Sequence, residues 1–166
     1  MERYNYDWSA YEFFSRLVST NRLAKSLLMQ ALRVSGLQQF EDALSTMQST
    51  TAFCCVCDLS SGYTDLSTSP KTRRVKTVFL ALRHPIDNME ARAQAFEQLR
   101  EVFRQFMSKL ILEKTRLSEN RLYVDPRIQF QEIPEYFFSG CACAHFSVAI
   151  DTMTDLRYNS DEWTAE

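Results

Sequence analysis

The chain has 166 residues, of which 45% are hydrophobic and 13% aromatic, and its formal net charge is −2 at pH 7. This composition predicts a folded domain of ordinary size and excludes a disordered or low-complexity chain. A net charge so close to zero excludes a general attraction to nucleic acid or anionic lipid, although it leaves local basic patches open. No apolar run is long enough for a signal-peptide core or a membrane span, which predicts a soluble protein made in the cytoplasm.

Residues 1–49 show three helical patterns. The first pattern follows Asp7 as a cap and carries the apolar residues Trp8, Tyr11, Phe14, Leu17 and Val18. The second begins after Thr20 or Asn21, ends near Gly36 and carries Leu23, Leu27, Leu28, Ala31 and Leu32. The third covers residues 37–47 and is shorter, with Leu37, Phe40 and Met47 on one side. These spacings predict three helices at the start of the chain.

The apolar spacing then changes from about 3.6 to 2, which is typical of strands. Alternating segments predict strands at residues 50–59, 72–83, 123–133 and 141–152. Residues 60–71 are polar and include Gly62 and Pro70, so we expect an exposed connection there. Pro126 and Pro134 lie near the ends of the third segment, as an edge or irregular strand permits.

Residues 87–120 predict one long amphipathic helix. Its apolar stripe contains Phe96, Leu99, Phe103, Phe106, Leu110 and Leu117, widened by Val102, Met107 and Ile111. Charged residues, including Glu113, lie on the opposite side, and Asp87 with Glu90 resembles a capping box. The order of helices, β, β, long α, β, β predicts an α+β fold with a roughly four-stranded antiparallel sheet and the long helix on one face. We expect a single domain over residues 1–166, with a helical part at 1–49, the sheet and long helix at 50–155 and a tail at 156–166.

Five cysteines and one histidine form two sequence clusters: Cys54, Cys55 and Cys57, and Cys141, Cys143 and His145. A zinc site is one interpretation. Neighbours on one face of a strand lie about 6.5 to 7 Å apart, whereas two thiolates on one zinc must approach to within about 4.6 Å. Cysteine also packs well as a small buried hydrophobe. The spacing therefore favours packing over a metal site, and no metal or cofactor is predicted.

Catalytic equipment is sparse in this sequence. His84 and His145 are its two histidines, and neighbours at i and i+2 on one strand, such as Cys143 and His145, do not point at each other. Gly36, Gly62 and Gly140 are isolated, so no phosphate-binding loop is predicted. We therefore expect no enzyme, with a cysteine- or metal-dependent activity of Cys143 and His145 as a distant alternative.

Two groups of residues are candidate interfaces. The first group is the basic run of Lys71, Arg73, Arg74 and Lys76. One interpretation is a surface that contacts an acidic partner protein or passing nucleic acid. The other is a solvated charge cluster that protects a sheet edge. Alternation places Arg74 and Lys76 on one face and Arg73 on the other. The aromatic residues fit either an interface or burial against the N-terminal helices; they are Tyr136, Phe137, Phe138 and Trp163.

The chain contains the strand-like segments TAFCCVCDL and TRRVKTVFLALR, then the long helix, and then the strand-like segment CACAHFSVAID. This order of segments resembles that of the tail-terminator and tail-completion (neck) proteins of tailed bacteriophages. The resemblance covers about residues 50–155 and the leading helix, and it transfers no site residue. It implies a non-enzymatic ring, commonly hexameric, that caps the tail tube and joins it to the head. The implied partners are further copies of the chain and tube or neck proteins, with no membrane and with DNA only in passing. The implied location is the host cytoplasm during assembly and then the virion. The alternative is a ferredoxin-like module that binds a small or regulatory ligand on the sheet face opposite the long helix.

Overall fold

The computed structural model describes residues 8–134 and 140–164, and it shows a mixed α/β fold. The helices are α1 Ala10–Thr20, α2 Arg22–Ser26, α3 Leu37–Thr46 and α4 Met89–Glu119, and a short 3-10 helix covers Ser160–Glu162. The strands are β1 Met29–Val34, β2 Ala52–Cys57, β3 Ser61–Asp65, β4 Lys71–Arg83, β5 Leu122–Val124, β6 Gln129–Ile133 and β7 Cys141–Met153.

All seven strands belong to one mixed sheet, so the prediction of a four-stranded antiparallel sheet in an α+β fold is wrong. The central strands β4 and β7 pair antiparallel over 13 residues each. β2 and β3 pair with different halves of the same edge of β4, while β5 and β6 share the outer edge of β7. β1 lies beside β2 and runs parallel to it.

β1 occupies sequence that we predicted to be helical. The predicted second helix ends at Ser26, because Leu28 adopts a left-handed φ of 53° and turns the chain into the strand. Ala31 and Leu32 satisfy a helical spacing, but in the structure they pair with Cys54 and Cys55 of β2. The hydrogen bonds and burial that a neighbouring strand supplies outweigh the local helical preference of this segment.

Two further differences lie in segments with weak or interrupted alternation. The polar stretch predicted as a connection contains β3, whose five residues are all exposed and therefore carry no inside-outside pattern. The predicted strand at residues 123–133 divides into β5 and β6, with Pro126 in the gap. A proline cannot donate a ladder hydrogen bond, which is consistent with a break at this point.

The helix ends follow local capping chemistry. The Asn88 side chain accepts a hydrogen bond of 2.9 Å from the Ala91 N–H and caps α4, so the expected cap at Asp87 is displaced by one residue. Ser9 caps α1 by accepting from the Glu12 N–H at 3.2 Å. Asp7, the expected cap, lies outside the described residues. Within the described ranges, none of the helices combines the length and apolar composition needed to span a bilayer.

Helices cover both faces of the sheet. On one face, α1 and α4 meet the strands around Phe14, whose ring centroid lies 6.2 Å from that of Phe106 and 5.5 Å from that of Phe146. On the other face, α3 places Phe40 on Phe79, with stacked rings 4.6 Å apart. The first layer spans β2, β4, β7 and β5, whereas the second joins α3 to residues of β1, β2, β4 and β7.

Candidate assembly surface

β3 forms a hairpin with the first half of β4. This hairpin arm is defined here as β3, the turn at residues 66–70 and residues 71–75 of β4, which pair with β7 on their other edge. Ser61 pairs with Val75 at its base and Asp65 with Lys71 at its tip. No residue of β3 is buried, and within the described part of the chain β4 is the only strand that pairs with it. The outer edge of β3 is therefore a row of backbone groups open to a further strand, a feature that promotes association unless it is covered.

Gly62 lets β3 approach β4 closely. A Cβ atom at this position would lie 1.7 Å from the carbonyl oxygen of Arg73. No side chain can be accommodated there without moving one strand away from the other. The isolated glycine of the polar stretch is thus the residue that permits the pairing of the hairpin arm.

The basic run lies on the inner strand of this arm, and its charges face in two directions. Arg73 donates to Asp151, at 3.1 Å from Oδ2, and to Asp125. Arg74 and Lys76 line a shallow recess on the opposite face beside Trp8. The alternative of an edge-protecting cluster is wrong, because β4 has neighbours on both sides.

Asp125 holds its charge within this network. Its pKa lies below the usual range because the backbone N–H of Arg127 and the guanidinium of Arg73 both donate to its carboxylate. The same carboxylates raise the pKa of Arg73, with the hydrogen bond to Asp125 as the largest cause. Arg73 thus ties the hairpin arm to β7 and to the start of the β5–β6 connection, which leaves Lys71 and Arg74 as its exposed basic residues.

The C-terminal segment, residues 154–164, begins beside the arm. The Thr154 N–H donates 3.0 Å to the Pro70 carbonyl, and Leu156 lines a recess with Leu66 of the hairpin turn. Trp163 is 67% exposed and stacks on Tyr158, which is 78% exposed, with ring centroids 6.4 Å apart. The alternative of burial against the N-terminal helices is therefore wrong for Trp163. Tyr136, Phe137 and Phe138 lie outside the described residues.

A second apolar surface, the helix groove, lies between α4 and residues 124–130. It has a volume of about 310 Å³ and is lined by Phe103, Met107, Leu110, Ile111, Lys114, Val124, Asp125, Pro126, Ile128 and Phe130. The rings of Phe103 and Phe130 form its wall, with centroids 5.4 Å apart. We did not predict this groove from the sequence. The available signal was Ile111, an apolar residue at the edge of the α4 stripe, which is exposed in the structure and lines the groove.

The cysteines are part of the two packing layers. All five are free and buried, with Cys54 facing α1 and α4, and Cys55, Cys141 and Cys143 facing α3. Burial raises the pKa of Cys55 to about 12 and also raises that of Cys143. Such thiols are protonated at neutral pH and are poor nucleophiles or metal ligands. Within residues 8–134 and 140–164, no three His, Cys, Asp or Glu side chains are grouped so that they could hold a metal ion.

His145 and Cys143 occupy the same face of β7 without forming a catalytic pair in this geometry. The His145 ring lies 5.8 Å from that of Phe79, and burial lowers its pKa. The only side-chain hydrogen bond described for the Cys143 thiol is a long contact of 3.8 Å to the Cys141 carbonyl. A base with a lowered pKa beside a thiol with a raised pKa favours two neutral groups over an ion pair.

The comparisons with known proteins add no family to these observations. No protein-family model matches the chain, and no curated protein matches it. The hairpin arm, the C-terminal segment and the helix groove are therefore interpreted from their own chemistry.

Proposed function

We propose that this chain is a non-enzymatic structural subunit that associates with copies of itself into a closed ring, of the kind that terminates the tail tube of a phage-like particle or joins it to the head. The observation that carries the proposal is the open edge of β3 on an arm with no buried residue in that strand. The assignment to a tail or neck comes from the resemblance in strand and helix pattern described above.

Exposed apolar side chains support an assembly role for this end of the molecule. Leu66 at the hairpin turn is 81% exposed, and it lies near Leu156 and close in sequence to Tyr63, which are exposed as well. Contiguous apolar patches of this kind on a soluble protein mark surfaces that bind other proteins. When such a patch meets a different surface of the next copy, the contact is heterologous and forms a ring if the rotation closes.

The buried thiols also support a structural role. Their raised pKa values disfavour the thiolate that cysteine catalysis needs. Arg73, the member of the basic run with the most defined geometry, is engaged by two carboxylates of its own chain. This arrangement stabilises the arm and disfavours Arg73 as the binding residue for a phosphate.

The test is the mass of the purified chain by light scattering over a concentration series, with negative-stain images of the same samples. We expect particles of uniform mass with a closed outline, and Leu66→Asp should weaken their formation. The matched control is Leu112→Asp, an exposed leucine on α4 that lies away from the arm. A chain that stays monomeric at every concentration, with and without tube protein, would overturn the proposal.

A small-ligand binding module is the second candidate, and the helix groove is the observation that favours it. The expected pocket on the sheet face opposite the long helix is partly filled by α3, whereas the groove on the other face is open and mainly apolar. Anything that binds the folded state alone must raise the melting temperature. A screen of small apolar acids and aromatics by thermal melting tests this candidate, and it predicts a concentration-dependent increase for at least one of them.

A further inference from the structure

We propose that the helix groove receives the C-terminal segment of a second copy of this chain, with Trp163 seated against the apolar wall and Asp161 beside Lys114. This inference rests on the proposed ring function and deepens it, because it names a contact that joins one subunit to the next.

The shape and lining of the groove suit one large aromatic side chain. Its volume of about 310 Å³ is at the small end of the range for ligand pockets. Its wall consists of Phe103 and Phe130, with the flexible thioether of Met107 between α4 and the facing segment. Aromatic rings pack favourably against other rings and against methionine sulfur. Ile111 and Phe130 are 66% and 61% exposed, so the lining is accessible from solvent.

The charges of the groove and of the segment are complementary. Within the described residues, Lys114 is the basic side chain among those that line the groove, and no ion pair engages it. The acidic lining residue Asp125 is already held by Arg73 and by the Arg127 N–H. The segment presents the exposed carboxylate of Asp161 two residues before Trp163. Opposite charges arranged in this way give an interface its orientation and favour encounter.

The segment is preorganised for such a contact. The Asn159 side chain accepts a hydrogen bond of 3.2 Å from the Asp161 N–H, and the Trp163 N–H donates to the Ser160 carbonyl at 3.2 Å. A short 3-10 helix thereby holds Asp161 near the indole. Because this geometry exists before binding, less conformational entropy is lost when the indole docks. Tryptophan and tyrosine are also the residues most often found as energetic centres of interfaces.

Within one chain, the segment and the groove are separate surfaces. Residues 154–157 lie along the hairpin turn, and no residue of the segment lines the groove. A contact between two different surfaces of identical chains repeats from copy to copy and yields a ring when it closes. Docking of the segment into its own groove and occupation of the groove by a small apolar acid are the competing outcomes of the test.

The test is a photo-crosslink in the full chain. Trp163 is replaced by p-benzoylphenylalanine, and equal amounts of ¹⁵N-labelled and unlabelled protein are mixed, irradiated and digested. We expect crosslinked peptides that join position 163 of one isotope to the peptides containing Met107 or Phe130 of the other. Crosslinks to these peptides within one isotope only would overturn the proposal, as would crosslinks only to the hairpin turn or a small molecule found in the groove by native mass spectrometry.

Paired variants separate this inference from the ring proposal. Ile111→Glu changes a groove residue, whereas Leu112→Glu changes its neighbour on the same helix, which is similarly exposed but does not line the groove. We expect Ile111→Glu and Trp163→Ser to weaken association at least tenfold and Leu112→Glu to leave association unchanged. Because association itself stabilises the fold, circular dichroism of dilute protein checks that each variant subunit remains folded. If neither Ile111→Glu nor Trp163→Ser weakens association, this inference alone is overturned. If the unchanged protein is a strict monomer, both proposals are overturned.

A charge reversal tests the ionic part of the contact. Lys114→Glu should weaken association, and combining it with Asp161→Lys should restore it, because each change then meets its opposite charge on the neighbouring copy. Weakening by Lys114→Glu without restoration in the combined variant would overturn the placement of Asp161.

Discussion

The indole Nε1 of Trp8 donates a hydrogen bond of 3.3 Å to Oε1 of Glu113, 105 residues further along the chain. Glu113 is only 7% exposed and also accepts from Nε of Arg116 at 3.0 Å. The assignment of this glutamate to the polar side of α4 is wrong. Position 113 lies three residues after Leu110 and four before Leu117, which places it on the buried face of the helix, where Trp8 covers it. The pair fixes the start of α1 against α4, and its hydrogen bonds compensate for burying a charge.

Glu113→Gln should lower the free energy of unfolding by about 1 to 2 kcal/mol at pH 7, because it weakens a charge-assisted hydrogen bond. The Arg116 guanidinium is the main cause that holds the pKa of Glu113 below its ordinary value of 4.5. A folded-state pKa below the unfolded value stabilises the fold above about pH 4.5, and the stabilisation is lost as the pH falls through the folded pKa. Urea denaturation at pH 7 and pH 3 should show the difference between the two proteins shrinking in acid; an equal difference at both pH values would contradict this.

Arg73→Met should destabilise the sheet where β4, β7 and the β5–β6 connection meet. The side chains of Asp125 and Asp151 are 27% and 30% exposed, so solvent screens part of the interaction, and we expect a loss of about 1 kcal/mol. The loss should be smaller in 1 M salt, which is about the concentration at which the Debye length is 3 Å. Denaturation at low and high salt measures it. Arg104→Met is the control, since its partner Glu101 lies three residues away on the exposed side of α4, and it should change stability little.

Leu28→Gly should stabilise the protein by about 1 kcal/mol, because an L-residue in the left-handed region is strained by about that amount. Leu28 has a φ of 53° and is 72% exposed, so little packing is lost with its side chain. The neighbouring Leu27 has a right-handed φ of −83° and packs against the core. Leu27→Gly should therefore destabilise. Thermal melting of the two variants decides the question, and a lower melting temperature for Leu28→Gly would contradict the backbone argument.

Gly62→Ala should open the hairpin arm without unfolding the rest. The added Cβ would overlap the Arg73 carbonyl oxygen, so β3 must move away from β4. We expect amide exchange in β3 to accelerate by about tenfold or more, which corresponds to about 1.4 kcal/mol of local stability. Exchange in β7 and α4 should not change. Ser61→Ala is the control in the same strand, and equal exchange in the two variants would show that Gly62 has no special role.

The thiols should react with iodoacetamide only after the protein unfolds. All five cysteines are buried, and burial raises the pKa of Cys55 to about 12. The reactive thiolate is therefore scarce in the folded protein at pH 7. Mass spectrometry should find the folded protein unmodified and the protein in guanidinium carrying five labels. Rapid labelling of one cysteine in the folded state would contradict this prediction and would support the alternative of a cysteine-dependent enzyme.

Segments with a sustained period were predictable from the sequence. Residues 87–120 contain α4, and the alternating segments contain β2, β4 and β7, with boundaries within a few residues. The assignment failed where the pattern was short or absent. β1 shares its apolar spacing with a helix, and β3 has no buried side to produce an alternation.

The same distinction holds for the candidate surfaces: features of a single segment were predictable, and features formed by several segments were not. The sequence singled out Trp163 as an interface candidate, with burial as the alternative, and it placed Arg73 on the face opposite Arg74 and Lys76. It missed the helix groove, because that surface joins Ile111 of α4 to Phe130 of β6, and no single segment contains its pattern. It also missed the network of Arg73 with Asp125 and Asp151, whose members come from three different parts of the chain.

The sequence by itself determined where the long helix and the central strands lie, because their apolar residues repeat with the local period of the backbone. Only the tertiary structure decided the parallel pairing of β1, the open edge of β3 and the groove beside α4. These features depend on hydrogen bonds and contacts between residues far apart in the chain, such as Met29 with Ala52 and Phe103 with Phe130. The energy of such contacts is absent from any local window of sequence, and here it outweighs local preference.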